Sequence, residues 1–381
     1  MSDRLRMDDH ERKIVVVKIG SSSLVGPSHH LDRKYLQLVA DQIAAVRAAG
    51  WSPIIVTSAA IACGLDALHI KTRPSDMPSL QAAASVGQNM LAMTYAEVFA
   101  AHHIVTSLVL LTRRDTASRH AYLHARDTLC RLIDLDVVPI VNENDTTSVD
   151  EIRFGDNDTL SALVACLVKA DLDIILSDIA GLYDADPHDH ADAHLLQRVD
   201  AITEQIMASA GGVGSSVGSG GMITKIRAAR VLMTAGIPLV VCDGHESHVI
   251  ERIIDGESVG TRFCAKSHHH EITPYKLWIA LGDSPKGSVS VDDGAKHALI
   301  ERGSSLLCVG AIASRGEFAA GDIIDVKDRH GHLFARGKVN ASSDGVRLAL
   351  GCSQDQLAGN HLLAPMARHP LIHRDELVVF E

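Results

Sequence analysis

Two lysines stand where a bound anion would need them. Lys18 closes the apolar run Ile14–Val17 and is followed by Gly20, Ser21, Ser22 and Ser23. A lysine at the end of a buried strand is costly unless an anion meets it. The glycine–serine tail offers backbone N–H groups and hydroxyls near a helix start, a good phosphate cradle. The bland alternative is a lysine that snorkels out of the sheet edge. Lys225 ends the stretch 211–225, GGVGSSVGSGGMITK. That stretch is too rich in glycine for strand or helix and predicts a loop running into a helix near Met222. It is neither of the two common nucleotide motifs: Thr224 precedes Lys225 where G-x-x-x-x-G-K-[ST] has glycine, and G-x-G-x-x-G is also absent. Loop N–H groups, a helix N-terminus and a lysine one turn in still make a triphosphate site, with a solvated linker as the alternative.

More polar residues follow the other apolar runs. Thr57, Ser58, Ala59 and Ala60 follow Ile54–Val56. Asn142, Glu143, Asn144 and Asp145 follow Val137–Val141. Ser177, Asp178, Gly181, Leu182 and Tyr183 follow Ile174–Leu176. Gly, Ser, Asn and Asp are ordinary turn residues, so each cluster alone is weak, and together they are a candidate site. Gly155, Asp156, Asn157 and Asp158 precede a helix predicted from Leu160. An acidic cap there is worth about 1 kcal/mol in any protein. Two clusters of Asn and Asp exceed capping and could grip a zwitterion, carboxylates for an ammonium and amides for both charges. The histidine-rich stretch Asp186–His194 lacks a second ligand pair at defined spacing, so it reads as a hydrophilic loop rather than a metal centre.

The elements that would carry these residues alternate. Short β-branched runs at Ile14–Val17, Ile54–Val56, Ile104–Leu111, Val137–Val141, Ile174–Leu176 and Ile237–Val241 predict buried strands. Between them, Leu36, Val39, Ile43 and Val46 share a helix face opened by Asp32 and stopped by Gly50. Leu160, Leu163, Val164 and Leu167 form a second such set, and Met222, Ile226, Ala229 and Met233 a third. This pattern predicts an α/β fold, a mainly parallel sheet between two helical layers, an αβα sandwich. Ligands of such sheets bind beyond the carboxyl ends of the strands, where all the polar clusters fall. Past residue 265 the helical signal fades. Runs such as Leu306–Val309 and Ile323–Val326, punctuated by glycine, predict a small β-rich domain. The expected boundaries are 12–265 and 274–375.

Composition narrows the class. Of 381 residues, 46% are hydrophobic and 22% charged, with a net charge of -11, which excludes a mainly disordered chain. The acidic balance and 3% aromatic content argue against a protein built to coat nucleic acid. Seven scattered cysteines without Cys-x-x-Cys fit a reducing cytoplasm rather than a disulfide framework. No apolar run approaches the ~18 residues of a membrane span.

Taken together, these stretches resemble the amino acid kinase superfamily and, within it, the glutamate 5-kinases that carry a C-terminal PUA domain. The resemblance rests on VVVKIGSSSL at 15–24, IIVTSAAIACG at 54–64, AAASVGQ at 82–88, LLTRRD at 110–115, HARDTL at 124–129, VPIVNENDT at 138–146, EIRFGDNDTLSALVA at 151–165, SDIAGLYDADP at 177–187 and GSGGMITKI at 218–226. The runs from 301 and 316 look like the opening of the PUA domain. The resemblance implies transfer of a phosphoryl group from ATP, with Mg2+, to the γ-carboxylate of L-glutamate. It implies Lys18 and Lys225 as the lysines that neutralise that group and Asp156 as the acid that orients them. It implies Ser58, Ala59, Asn142, Asp145 and Asn157 around glutamate. The ATP site would be formed by Lys18, Gly20, Ser21, Ser177, Asp178, Ser219, Gly220, Gly221, Met222, Ile223, Thr224 and Lys225. No metal ligand from the protein is implied. A homo-oligomer, dimer or tetramer, and feedback by proline are usual in this family. The alternatives are a kinase of the same superfamily acting on acetylglutamate, aspartate, carbamate or a nucleoside monophosphate, or a PUA protein that binds RNA. One departure bears on the substrate: the family has glycine where this chain has Ala59, so a methyl is expected either to narrow the pocket or to restrict the turn.

Overall fold

The computed structural model describes residues 12–26, 30–112, 119–147, 157–185, 190, 192–209, 221–265, 274–281 and 285–380. The chain divides into two compact units, the first of Met1–Asp115 and His120–His268, the second of Thr116–Arg119 and His269–Glu381.

The first unit is built on an eight-stranded sheet. Its strands are β1 (Ile14–Ile19), β2 (Ser52–Val56), β3 (Thr106–Leu111), β4 (Val138–Glu143), β5 (Leu172–Ser177), β6 (Arg198–Val199), β7 (Leu239–Asp243) and β8 (Thr261–Phe263), in the order β3-β4-β2-β1-β5-β7-β8-β6. All neighbours pair parallel except β7 with β8. Strands β1, β2, β4 and β5 are buried along their whole length, as a parallel sheet covered on both faces requires. The antiparallel turn into β8 was not legible, since Thr261–Phe263 is too short to show a period.

The helices are α1 (Ser21–Leu24), α2 (Arg33–Ala48), α3 (Ala60–Ala67), α4 (Met77–Ala100), α5 (Arg119–Asp134), α6 (Asn157–Val168), α7 (Glu204–Ser209), α8 (Met222–Thr234) and α9 (Val249–Ile254). Asp32 caps α2 as expected, accepting from the Lys34 and Tyr35 N–H groups at 3.0 Å each. Because side chains alternate along a strand, Val15, Val17 and Ile19 of β1 face one layer, where they pack with Leu36, Val39 and Ile43 of α2 and Tyr95 and Phe99 of α4. Val16 and Lys18 face the other, which α6 covers. Helices α3 and α4 touch backbone to backbone: a Cβ on Gly64 would lie 1.7 Å from the Ala83 carbonyl oxygen, and one on Gly87 1.8 Å from that of Ala60. Only glycine permits this approach, and it seats α4 against the turn that follows β2. Among the described residues no helix is long and apolar enough to cross a membrane.

The second unit holds a five-stranded sheet of β9 (Gly287–Val291), β10 (Ala311–Gly316), β11 (Ile323–Lys327), β12 (Leu333–Lys338) and β13 (Leu377–Val379), in the order β10-β9-β11-β12-β13. Its core is formed by Val289, Val291, Ile324, Val326, Phe334 and their neighbours. The run Ile323–Val326 is a strand, as its composition predicts. Leu306–Val309 is not: Leu306 makes a single bridge to Ile372, and Cys308–Gly310 close a 3-10 turn that buries Cys308. The unit also contains α10 (Pro274–Leu281), α11 (Asp293–Arg302), α12 (Ser343–Ala349), α13 (Gln354–Gly359) and α14 (Ala364–Arg368). At five to ten residues they are shorter than the window over which helical periodicity emerges.

Candidate active site

The carboxyl ends of β1, β2, β4 and β5 meet the N-termini of α6 and α8 at one edge of the first sheet. Lys18, at the penultimate position of β1, is 6% exposed. Its Nζ lies 2.7 Å from Asp158 Oδ1. Lys225, four residues into α8 and 4% exposed, places Nζ 3.3 Å from Asp158 Oδ2. Asp158, the second residue of α6, has no exposed surface, and Thr224 Oγ1 lies 2.7 Å from both its Oδ2 and the Gly221 carbonyl. Burial pushes the Asp158 carboxyl up, but the two ammonium groups and the Thr224 hydroxyl outweigh it and hold the group below the usual carboxylate range. Two ammonium groups around one carboxylate leave one uncompensated positive charge at the sheet edge, where a phosphoryl group could meet it.

The acid found between the lysines is Asp158; Asp156, the expected one, lies outside the described residues. The sequence held a signal for this. Helix α6 runs NDTLSALVACLV and is buried on every side, so it offers no exposed face for an aspartate in its first turn. Such a carboxylate must be buried and paired with cations. A cap outside the helix and a charge inside it look alike when only residue types are counted.

Across from the lysines, three expected residues join in one amide network. The two N–H groups of Asn157 Nδ2 are shared among three acceptors, the Thr57 carbonyl, Ser58 Oγ at 2.9 Å and Asn142 Oδ1 at 3.0 Å. Asn142 Nδ2 in turn donates to Gln88 Oε1 at 2.9 Å. The Thr57 carbonyl can only accept, so it fixes which end of Asn157 is the amide nitrogen and turns Oδ1, an acceptor suited to an ammonium, the other way. Gln88, from α4, was not singled out from sequence. It sits in AAASVGQ, and nothing in that run distinguishes a polar core residue from a surface one. Asp145 lies half-buried in the turn after β4.

Of the remaining expected positions, Gly20 donates its N–H to the Leu176 carbonyl at 3.3 Å, joining the ends of β1 and β5. Ser21 opens α1 and is exposed. Ser177 is buried and donates to Asp178 Oδ1 at 3.2 Å, while Asp178 itself is exposed. Gly221 is the N-cap of α8, with Met222, Ile223 and Thr224 in its first turn. Ser219 and Gly220 lie outside the described residues.

Ala59 takes φ 72° and ψ 13°, the left-handed region, at the N-cap of α3. Half-buried, its methyl group packs against the main hydrophobic cluster. The turn is strained by roughly 1–2 kcal/mol for a residue with a Cβ, and glycine would relieve this while adding unfolded-state entropy worth about 0.4–1 kcal/mol. Ala59→Gly is therefore expected to leave the KM for the acceptor substrate unchanged and to shift stability by under about 1 kcal/mol. Steady-state kinetics and a thermal melt check both, and a severalfold fall in KM would mean that the methyl does reach the ligand.

A family model described as "Amino acid kinase family" matches residues 13–243, and one described as "PUA domain" matches residues 287–358. The chain is similar to "Glutamate 5-kinase" of Chromobacterium violaceum, with 43% identity over 369 residues that cover 97% of this chain and 98% of the relative. It is 40% identical over 367 residues to "Glutamate 5-kinase" of Caldanaerobacter subterraneus subsp. tengcongensis, covering 96% and 98%. Among solved structures, "Carbamate kinase from Giardia lamblia bound to AMP-PNP" superposes with a TM-score of 0.50 at 17% identity, over 67% of this chain and 99% of that one. That likeness is one of fold.

Proposed function

The chain belongs to the amino acid kinase family and, within it, to the glutamate 5-kinases, and we propose that it transfers the γ-phosphoryl group of ATP to the γ-carboxylate of L-glutamate. The products are L-glutamyl 5-phosphate and ADP, the first step of proline biosynthesis. The observation that carries this reading is the Lys18–Asp158–Lys225 cluster at the same sheet edge as the Ser58–Asn142–Asn157 network.

Phosphoryl transfer asks for positioning and charge neutralisation rather than covalent chemistry by the protein. The acceptor carboxylate is already ionised at neutral pH, since a glutamate side chain titrates near 4.3, so no general base is required. Lys18 and Lys225 come from different elements, and Asp158 fixes their separation, so both can meet the oxygens of the transferred group without reorganising as charge shifts. Asn157 Oδ1 and Asp145 would hold the substrate ammonium, and Ser58 with Asn142 would hold the α-carboxylate side. The loop leading to Gly221 and the first turn of α8 would carry the nucleotide phosphates, with Ser177 and Asp178 alongside. Mg2+ would enter with the nucleotide and would supply positive charge to its phosphates as the γ-phosphoryl group leaves. Among the described residues no group of three or more His, Cys, Asp or Glu side chains forms a metal cage.

The test is formation of γ-glutamyl hydroxamate from glutamate, ATP and hydroxylamine. Asn157→Ala is expected to raise the glutamate KM at least tenfold, the loss of a charge-assisted hydrogen bond worth about 1.5–3 kcal/mol, and to leave the ATP KM within twofold. A rise in the ATP KM instead would put the amide network on the nucleotide side.

A further inference from the structure

One buried acid takes no part in the reaction just described. Asp173 lies within β5 among Leu172, Ile174, Ile175 and Leu176 and has no exposed surface. Its Oδ1 accepts from Ser161 Oγ at 2.7 Å, and its Oδ2 has no hydrogen-bond partner. The parallel register pairs Asp173 with Val16 and Ile175 with Lys18. Paired residues of parallel strands point to the same side and side chains alternate, so Asp173 shares its sheet face with Lys18. Two residues along and one strand across puts the two Cα atoms roughly 8 Å apart. The same face is covered by α6, where Ser161 lies three residues after Asp158 and so on the same side of the helix. Asp173 thus stands one helical turn behind the acid that holds the two lysines. The ionisable groups around it are Lys18 from β1, and Asp158 and Cys166 from α6, with Lys225 of α8 beyond Asp158. Strand β7 brings the apolar Leu239 and Val241 beside it, with Asp243 only at its far end.

We propose that the protonation state of Asp173 sets the net charge of the lysine cluster, so that the kinase is most active with Asp173 neutral and loses activity as it ionises. With Asp173 protonated, Lys18, Lys225 and Asp158 sum to one positive charge for the transferred phosphoryl group. With Asp173 ionised the sum is zero. The carboxyl is placed to make this change near neutrality: burial pushes it up to about 7, helped by the negative Asp158, while the Ser161 hydroxyl and the positive Lys18 hold it from rising further. The inference rests on the phosphoryl-transfer reading above.

The experiment is the pH profile of kcat between pH 5.5 and 9 for the full chain and for Asp173→Asn, at saturating glutamate and ATP. The wild type is expected to fall about 30-fold across an inflection near neutrality, the effect of one unit charge roughly 8 Å away at an effective dielectric near 20, and Asp173→Asn to stay flat across it. Superimposable profiles would overturn the proposal. Ser161→Ala, which removes a hydrogen bond that favours the charged form, should move the inflection to higher pH, and an unmoved inflection counts against Asp173 even if the asparagine variant does not fold. Thermal melts read the same titration without catalysis. The folded state holds the Asp173 proton more tightly than the unfolded chain, so wild-type stability is lost as pH rises from the ordinary carboxylate range through about 7. The Tm of Asp173→Asn relative to wild type should therefore climb from pH 5.5 to 8.5, and a constant difference would show that Asp173 does not titrate there. A wild type that titrates in the melts but phosphorylates no glutamate would instead overturn the functional reading.

Discussion

Truncation of Lys225 to alanine is expected to lower kcat by two to three orders of magnitude, with the glutamate KM changed by less than about threefold. Lys18→Ala should do the same. Removal of one preorganised charged donor from a site shielded from water typically costs about 10²–10³ in kcat. The two lysines are 4% and 6% exposed, so bulk water does little to screen them. Each variant also leaves Asp158 with a single cationic partner, and the cluster then carries no net positive charge toward the transferred group. The effect belongs to kcat because, in the proposed reading, the α-ammonium and α-carboxylate of the acceptor would meet the amide network around Asn157, and only its reacting γ-carboxylate would approach the lysines. Hydroxamate formation followed at saturating and limiting glutamate separates the two parameters. Turnover within tenfold of wild type in both variants would remove the lysines from phosphoryl transfer. Arginine is a poor rescue at either place, since its planar fork cannot enter the small space that an ammonium fills against one carboxylate oxygen.

The part of this arrangement legible from sequence is the part that sits at strand ends. Lys18 is conspicuous because the four residues before it are apolar and buried, so a charge there calls for a partner. Lys225 stands out because a glycine run stops just before it and helical spacing begins. Asn142 and Ser58 follow apolar strands in the same way. What was not legible depends on packing between elements distant in sequence. Helix α4 is the longest in the first unit. Yet its inward positions include Ala83, Ala84, Gly87, Gln88 and Thr94, while Val86, Met90 and Met93 face outward. Polarity contrast between its faces is too low for a period to show. Gln88 disappears with the helix that carries it. Asp158 was legible only in part: its neighbours Asp156 and Asn157 have the same composition, and the one sign that separates a capping acid from an enclosed one is a helix that is apolar, and buried but for Asn157 and Cys166, all the way round. Asp173 carries no sequence signal at all, because an aspartate beside apolar residues at the start of a strand reads as a turn.

Asp158→Ala should be the most destabilising single change at the site. Lys18 and Lys225 approach this one carboxylate at 2.7 and 3.3 Å, and without it two ammonium groups face each other out of reach of bulk water. Breaking a buried ion pair by removing one partner costs about 3–5 kcal/mol, because the remaining charge is left uncompensated. Here two charges are stranded, so the upper end of that range applies. Against a total stability of about 5–15 kcal/mol, a loss of that size lowers the melting temperature by roughly 10 °C or more. Asp158→Asn keeps the shape and one acceptor oxygen but not the charge, and should fall between alanine and wild type. The difference from wild type is expected to depend on pH with a definite sign. The Asp158 carboxyl is held below its ordinary range in the folded state, so its contribution is present above the unfolded carboxylate pKa of about 3.9. That contribution is lost as pH falls through the depressed value. Melts of wild type and Asp158→Ala should thus converge in acid and stand furthest apart near neutrality. Equal melting temperatures at pH 7 would mean that the lysines are solvated on their own, and the cluster would then lack the dry, fixed charge on which its role in phosphoryl transfer depends.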